Sequence, residues 1–179
     1  MLKVETFSLG ALATNAYLLT VPASNKGVVI DPGADPEPLL QRTAGLQIEA
    51  ILLTHAHFDH IAGVEAVRRR HGCPVYIHEL EAAWLTDPAM NGSLLWPDIS
   101  APVSTAPPEH HLADQQQLSF LGQTILVMHT PGHSPGSVSF LLGPHLFSGD
   151  VLFRMSVGRT DLPGGNAPDL YRSIKQQLF

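Results

Sequence analysis

The chain has 179 residues, enough for one domain or two small halves sharing a core, and its apolar fraction of 44% is ample for a packed interior. Ten Lys and Arg against 16 Asp and Glu give a net charge of −6 without a basic stripe, which argues against a nucleic-acid footprint, and no window reaches the apolar length of a membrane span. One cysteine excludes an intrachain disulfide, whereas the 10 histidines equal Lys plus Arg in number, an unusual excess.

Lys3 and Glu5 stand where a secretory signal would need an uninterrupted apolar stretch, so a cytoplasmic chain is expected. Leu2 to Thr6, Asn15 to Thr20 and Gly27 to Ile30 read as three short strands separated by Gly, Pro and Asn. Asp31-Pro32-Gly33 turns the chain, and Pro36 to Thr43 is predicted as a helix with Pro at its opening. Ile48 to Leu53 is short, bounded and rich in branched residues, as a buried strand should be.

Thr54-His55-Ala56-His57-Phe58-Asp59-His60 follows that strand. His55 and His57, two apart on an extended backbone, share a side, and Asp59 and His60 lie in the turn that opens the next helix. Three imidazoles and a carboxylate at a strand-loop-helix corner point to a metal, zinc or iron by donor type. The helix is predicted from Ile61 to Arg70, with Ile61, Val64 and Val67 at helical spacing. Arg68, Arg69 and Arg70 close it where cations suit the dipole, and read as a solvated face.

Cys73, next to Pro74, reads as a buried thiol. Pro74 to His78 is a further strand and Glu79 to Thr86 a short helix, an alternation that argues for α/β layers. From Asp87 to Pro108 the pattern dissolves; Met90, Leu94, Leu95 and Trp96 within it suggest a flap over a cleft. His110 and His111 match no ligand spacing and read as surface residues. Gln116 to Leu121, Gln123 to Met128, Val138 to Leu142 and His145 to Phe147 read as antiparallel strands with tight turns.

His133 sits in Pro131-Gly132-His133-Ser134-Pro135-Gly136, a turn poorly suited to a core histidine and well suited to a ligand. Asp150 follows Ser148-Gly149 at a strand end, where glycine permits close backbone approach. Arg154 and Arg159 are weak candidates to meet a substrate carboxylate. Asp169 to Leu178 is predicted as the final helix.

With Val29 to Gly33, His55 to His60, Thr130 to Ser137 and Ser148 to Asp150, the sequence resembles the metallo-β-lactamase superfamily, most closely its hydroxyacylglutathione hydrolase (glyoxalase II) branch of single-domain relatives. The resemblance implies an α/β (αββα) fold, a four-layer sandwich of two mixed β-sheets flanked by helices, as one domain over 1–179 lacking the family's last C-terminal segment. It implies that His55, His57 and His133 hold one metal, that Asp59 and His60 hold a second, and that Asp150 bridges them. Asp59 would orient the water and Asp31 would support a metal-bound histidine from behind. The implied activity is thioester hydrolysis by a metal-bound hydroxide with Zn2+, one or two per chain, or iron or manganese in its place.

The family's lysine and tyrosine groups after the bridging aspartate are absent, with Arg154 and Met155 near those places. Its last histidine ligand has no counterpart before Phe179, so the second metal is expected to bind more weakly. The alternatives are a mononuclear iron persulfide dioxygenase, a hydrolase of lactones or phosphodiesters, and an impaired metal-binding relative. The expected partner is a small-molecule thioester, with no nucleic acid and no membrane; the sequence leaves the oligomeric state open.

Overall fold

Residues 1–179 are described by a computed structural model. Strands β1 (Lys3–Leu9), β2 (Thr14–Val21), β3 (Lys26–Ile30), β4 (Gln47–Leu52), β5 (Val75–His78) and β6 (His110–Leu112) lie side by side in that order. The first three pair antiparallel and β3 to β6 pair parallel. Each parallel step needs a crossover, and the crossovers carry α1 (Glu37–Arg42), then α2 (Phe58–Ile61) with α3 (Val64–His71), then the 3-10 segment Glu79–Thr86. Strands β7 (Gln117–Phe120), β8 (Gln123–His129), β9 (Val138–Leu142) and β10 (His145–Phe147) make a second sheet in the order β10-β9-β8-β7. A small hairpin, β11 (Leu152–Phe153) and β12 (Ser156–Val157), and α4 (Ala167–Ser173) complete the chain, α4 running into a π-turn at Ile174–Leu178.

Period two sorts the core into layers. Val28, Ile30, Ala50 and Leu52 face the second sheet and meet Ile125, Val127, Val138 and Phe140. Val29, Ile51 and Leu53 face the helices and meet Leu39, Ile61, Val64 and Val67. With both faces covered, Gly27 to Ile30 and Ala50 to Leu53 have no polar side to show, which is why these stretches are continuously apolar. The expected facing sheets flanked by helices are present. Only the first is mixed, however: short turns join β7 to β8 and β9 to β10, the His133 loop joins β8 to β9, and the second sheet is antiparallel throughout. No helix is long and apolar enough to cross a membrane.

Two expectations are corrected. The helix placed at Ile61 to Arg70 starts earlier and breaks at Gly63, whose N–H donates to Pro32 O at 2.9 Å. A Cβ at Gly63 would lie 2.3 Å from Gly33 O, and one at Gly33 would lie 2.6 Å from Asp59 O. These glycines let the β3–α1 turn press against α2 and the break that follows it. Arg68 is not solvated: its guanidinium binds Glu65, Glu109 and the carbonyls of Ala106 and Pro107, tying α3 to the long loop. Cys73 is buried, and burial pushes its thiol up to about 11.

Candidate metal centre

The ends of β4 and β9 meet where Val138 N donates to Thr54 O at 2.9 Å, so the loops leaving the two sheets share one edge. His55, His57 and His133 converge there, one ligand atom from each lying within 4.8 Å of the others; His55, His60 and Asp150 make a second such group. His55 belongs to both. His57 Nδ1 and His133 Nε2 face each other at 2.9 Å. Asp150 stands between the groups, Oδ1 at 3.1 Å from His60 Nε2 and Oδ2 at 3.5 Å from His133 Nε2. Gly149, at φ +51°, leaves the space this needs, since a Cβ would lie 2.3 Å from Thr54 Oγ1.

Hydrogen bonds on the far side of each ring set the tautomers. Asp31, itself at φ 49° and buried, accepts from Thr54 N at 2.8 Å, Thr54 Oγ1 at 2.6 Å and His60 Nδ1 at 2.9 Å. Thr54 Oγ1 donates its hydrogen bond to Asp31, so at 3.0 Å it accepts from His55 Nδ1. His133 Nδ1 donates to Arg159 O at 2.8 Å. The Nε2 atoms of His55, His60 and His133 are thereby turned to the centre, where a metal would displace any proton they carry.

The Nε2 atoms of His55 and His57 are buried and no group of the protein hydrogen-bonds them. A buried polar atom left in that state costs about 1–3 kcal/mol. Imidazoles with one carboxylate suit zinc, iron or manganese, so these residues fit a divalent metal.

Electrostatics divides the cluster. Burial, with the neighbouring imidazoles, holds His55 well below its usual range and His57 at about 3. Burial also depresses His133, against the pull of Asp150. His60 is the opposite case: burial opposes its charge, but Asp59, Asp150 and Asp31 together hold it well above the usual range. Burial raises Asp150, yet His60 and the other imidazoles outweigh it and bring it to about 2.

Asp59 lies outside both groups, at 3.4 Å from His60 Nε2, with Oδ2 held by the Thr14 hydroxyl at 2.7 Å. Two clefts flank it. The larger, about 460 Å³, runs past Tyr17, Asp150 and Arg154; the smaller, about 180 Å³, is walled by Leu12, Phe58, Trp96, Ile99 and Leu162 beside His57 and His133. Trp96 and Ile99 come from the loop read as a flap, which Asn91 staples through Trp84 O and Val103 O. Arg159 lines the smaller cleft, where Asp161 binds its guanidinium at 2.6 and 2.7 Å and it lies 5.6 Å over Trp96. His110 and His111 are exposed on β6.

Sequence reading missed Thr14, Thr54 and Glu81. Thr54 had a signal in its place directly before the histidine pair; Thr14 and Glu81 had none. Glu81 is fully buried and binds Ala56 N and Gly136 N.

A family model for the metallo-β-lactamase superfamily matches residues 9–179. A probable metallo-hydrolase, YqgX of Bacillus subtilis, is 39% identical over 99% of this chain and 84% of its own. Hydroxyacylglutathione hydrolase GloC of Haemophilus influenzae is 29% identical over 99% of this chain and 85% of its own. Among solved structures, the B3 metallo-β-lactamase BLEG-1 is 46% identical with a TM-score of 0.91, over 98% of this chain and 85% of that one. The di-iron-bound form of TTHA1623 is 41% identical with a TM-score of 0.83, over 97% and 85%. ETHE1 from Myxococcus xanthus is 28% identical with a TM-score of 0.75, over 99% and 69%.

Proposed function

The chain belongs to the metallo-β-lactamase superfamily, and on that premise we propose that it is a metal-dependent hydrolase of small-molecule thioesters. The observation that carries the reading is the set of inward Nε2 atoms fixed by Asp31, Thr54 and the Arg159 carbonyl, with Asp150 between them. His55, His57 and His133 would hold one ion, and His60 with Asp150, sharing His55 or joined by Asp59, would hold another. A divalent ion there supplies an activated water near neutral pH and a Lewis acid at the carbonyl oxygen. No side chain competes for the nucleophile's role: Cys73 is buried and protonated, and Ser148 donates to Leu152 O.

Asp59, its Oδ2 held by the Thr14 hydroxyl, would steer a water at the border of the two clefts and take its proton. The smaller, apolar cleft suits a compact acyl group, and the larger suits the thiol half, with Arg154 at its wall. The leaving group decides between acyl substrates. A thiol of pKa about 8.5 departs as thiolate without a proton, whereas an amine needs one. The Nδ1 protons of His55, His60 and His133 are engaged and no lysine lines either cleft, so an amine would depend on the proton that Asp59 takes from the water, whereas a thiolate would not. The relation to GloC supports a thioester of a thiol such as glutathione.

A second reading, opening of a β-lactam, is favoured by the likeness to BLEG-1. Purified protein loaded with zinc, iron or manganese is to be assayed for thiol release from an acyl-glutathione, for opening of a chromogenic cephalosporin, and for oxygen uptake with glutathione persulfide. Thiol release that stops with chelator and returns with metal is expected. Faster cephalosporin opening, or oxygen uptake without thiol release, would overturn the thioester reading.

A further inference from the structure

The two loops that carry the imidazoles leave different sheets and meet directly where Val138 N donates to Thr54 O at 2.9 Å, but each also carries an amide that the backbone does not satisfy. Ala56 N, between His55 and His57, and Gly136 N, three residues after His133, have no backbone acceptor. Both donate to one carboxylate: Glu81 Oε2 accepts from Ala56 N at 2.6 Å and Oε1 from Gly136 N at 2.8 Å, across 25 and 55 residues of sequence. We propose that Glu81 is a positioning residue that locks the His55–His57 loop to the His133 loop and so sets the spacing of the three imidazoles for a metal. The inference rests on the reading of this cluster as a metal centre.

The surroundings of Glu81 are built for that task. Its side chain is wholly buried and lies on the 3-10 segment Glu79–Thr86, anchored where His78 Nδ1 accepts from Leu80 N. Trp84 of the same segment stacks on His57 with ring centroids 6.1 Å apart, so the loop is gripped at its backbone and at a ligand ring. Position 136 must be small: a Cβ there would lie 2.9 Å from Glu81 Cγ. Burying a carboxylate is costly, and a fold that needed only filling would be served by an apolar side chain. Two acceptor oxygens at a fixed spacing, each taking one amide of a different loop, are what a carboxylate adds and a hydrocarbon lacks.

Glu81→Gln keeps the shape but turns one acceptor into an NH2 facing an N–H, which frees one loop. Glu81→Asp keeps both acceptors but is one methylene too short to span them. The test loads wild type and both variants with Co2+ and Zn2+, measuring affinity against a chromophoric chelator and the visible Co2+ spectrum, with circular dichroism of the metal-free proteins as the check on folding. Metal affinity is expected to fall about 10–100-fold in the variants, the range for groups that orient ligands, with an altered Co2+ spectrum. Should Glu81→Gln not fold, Gly136→Ala presses on one leg of the same clamp and is expected to act in the same direction more weakly. Folded variants with wild-type affinity and spectrum would overturn the role of Glu81. Wild type that binds neither ion would overturn the metal centre itself, and the clamp with it.

Discussion

Asp31→Asn tests whether the far-side hydrogen bonds define the centre. In the wild type one buried carboxylate accepts three protons, from Thr54 N at 2.8 Å, Thr54 Oγ1 at 2.6 Å and His60 Nδ1 at 2.9 Å. The amide has one acceptor oxygen. If it stays on Thr54 N, the NH2 faces both the Thr54 hydroxyl, which loses its acceptor, and His60, where it favours the tautomer with the lone pair on Nδ1 and the proton on Nε2, where the metal should bind. If it flips, Thr54 N is left without an acceptor. Either way a buried group is left unpaired, at about 1–3 kcal/mol, and affinity on the His60 side should fall about 10–100-fold. The His55, His57 and His133 side changes only through Thr54. Nitrogen-15 NMR of the histidines reads the tautomer directly, and calorimetric titration with Zn2+ reads the affinities. An unchanged His60 tautomer together with unchanged affinity would refute the reasoning.

Without metal, thermal stability should peak near pH 6.5. His57, with a folded pKa of about 3, withholds a proton that the unfolded chain binds, so stability is lost as pH falls from 6.5 toward 3, by about 1.4 kcal/mol per pH unit for each such group. His60, held above its ordinary range, gives stability that is full below 6.5 and lost as pH rises through its raised pKa. A melting temperature in chelator that climbs steadily to pH 9 would contradict this. Thr14→Val removes a hydrogen bond to the Asp59 carboxylate worth about 1.5–3 kcal/mol and should lower kcat about tenfold or more, with the ion on the His55, His57 and His133 side retained; steady-state kinetics with metal analysis checks both. Phe140→Ala, in the inter-sheet layer, should cost about 3–5 kcal/mol, roughly 10 °C in Tm, and leave Zn2+ affinity within about twofold; calorimetry and titration separate the effects.

What the sequence made legible was local or repeated. His55 to His60 stood out because its ligands are nearly contiguous, and Val28 to Ile30 and Ile48 to Leu53 because both their faces are buried. His133 and Asp150 stood out because turn residues surround them. Features set by distant partners stayed hidden. The break at Gly63 depends on the β3–α1 turn, thirty residues earlier, pressing on it. Arg68 looked solvated because Glu109 and the Ala106 and Pro107 carbonyls come to it from a patternless loop. Arg159 was singled out for its charge, whereas its carbonyl is what reaches His133. Glu81 sits in an ordinary-looking amphipathic stretch, and only the folded chain shows two loops ending on it.

His55 is the one residue shared by both groups of converging ligands, so its removal is the sharpest probe of the centre. Chelator-stripped wild type and His55→Ala are to be titrated with Zn2+, Fe2+ and Mn2+ and their bound metal counted by mass spectrometry. The wild type should hold at least one ion tightly per chain, and His55→Ala should lose tight binding on both sides while remaining folded. A wild type that stays metal-free at saturating ion, or a folded His55→Ala that binds as well as the wild type, would contradict the metal centre on which the proposed hydrolysis depends.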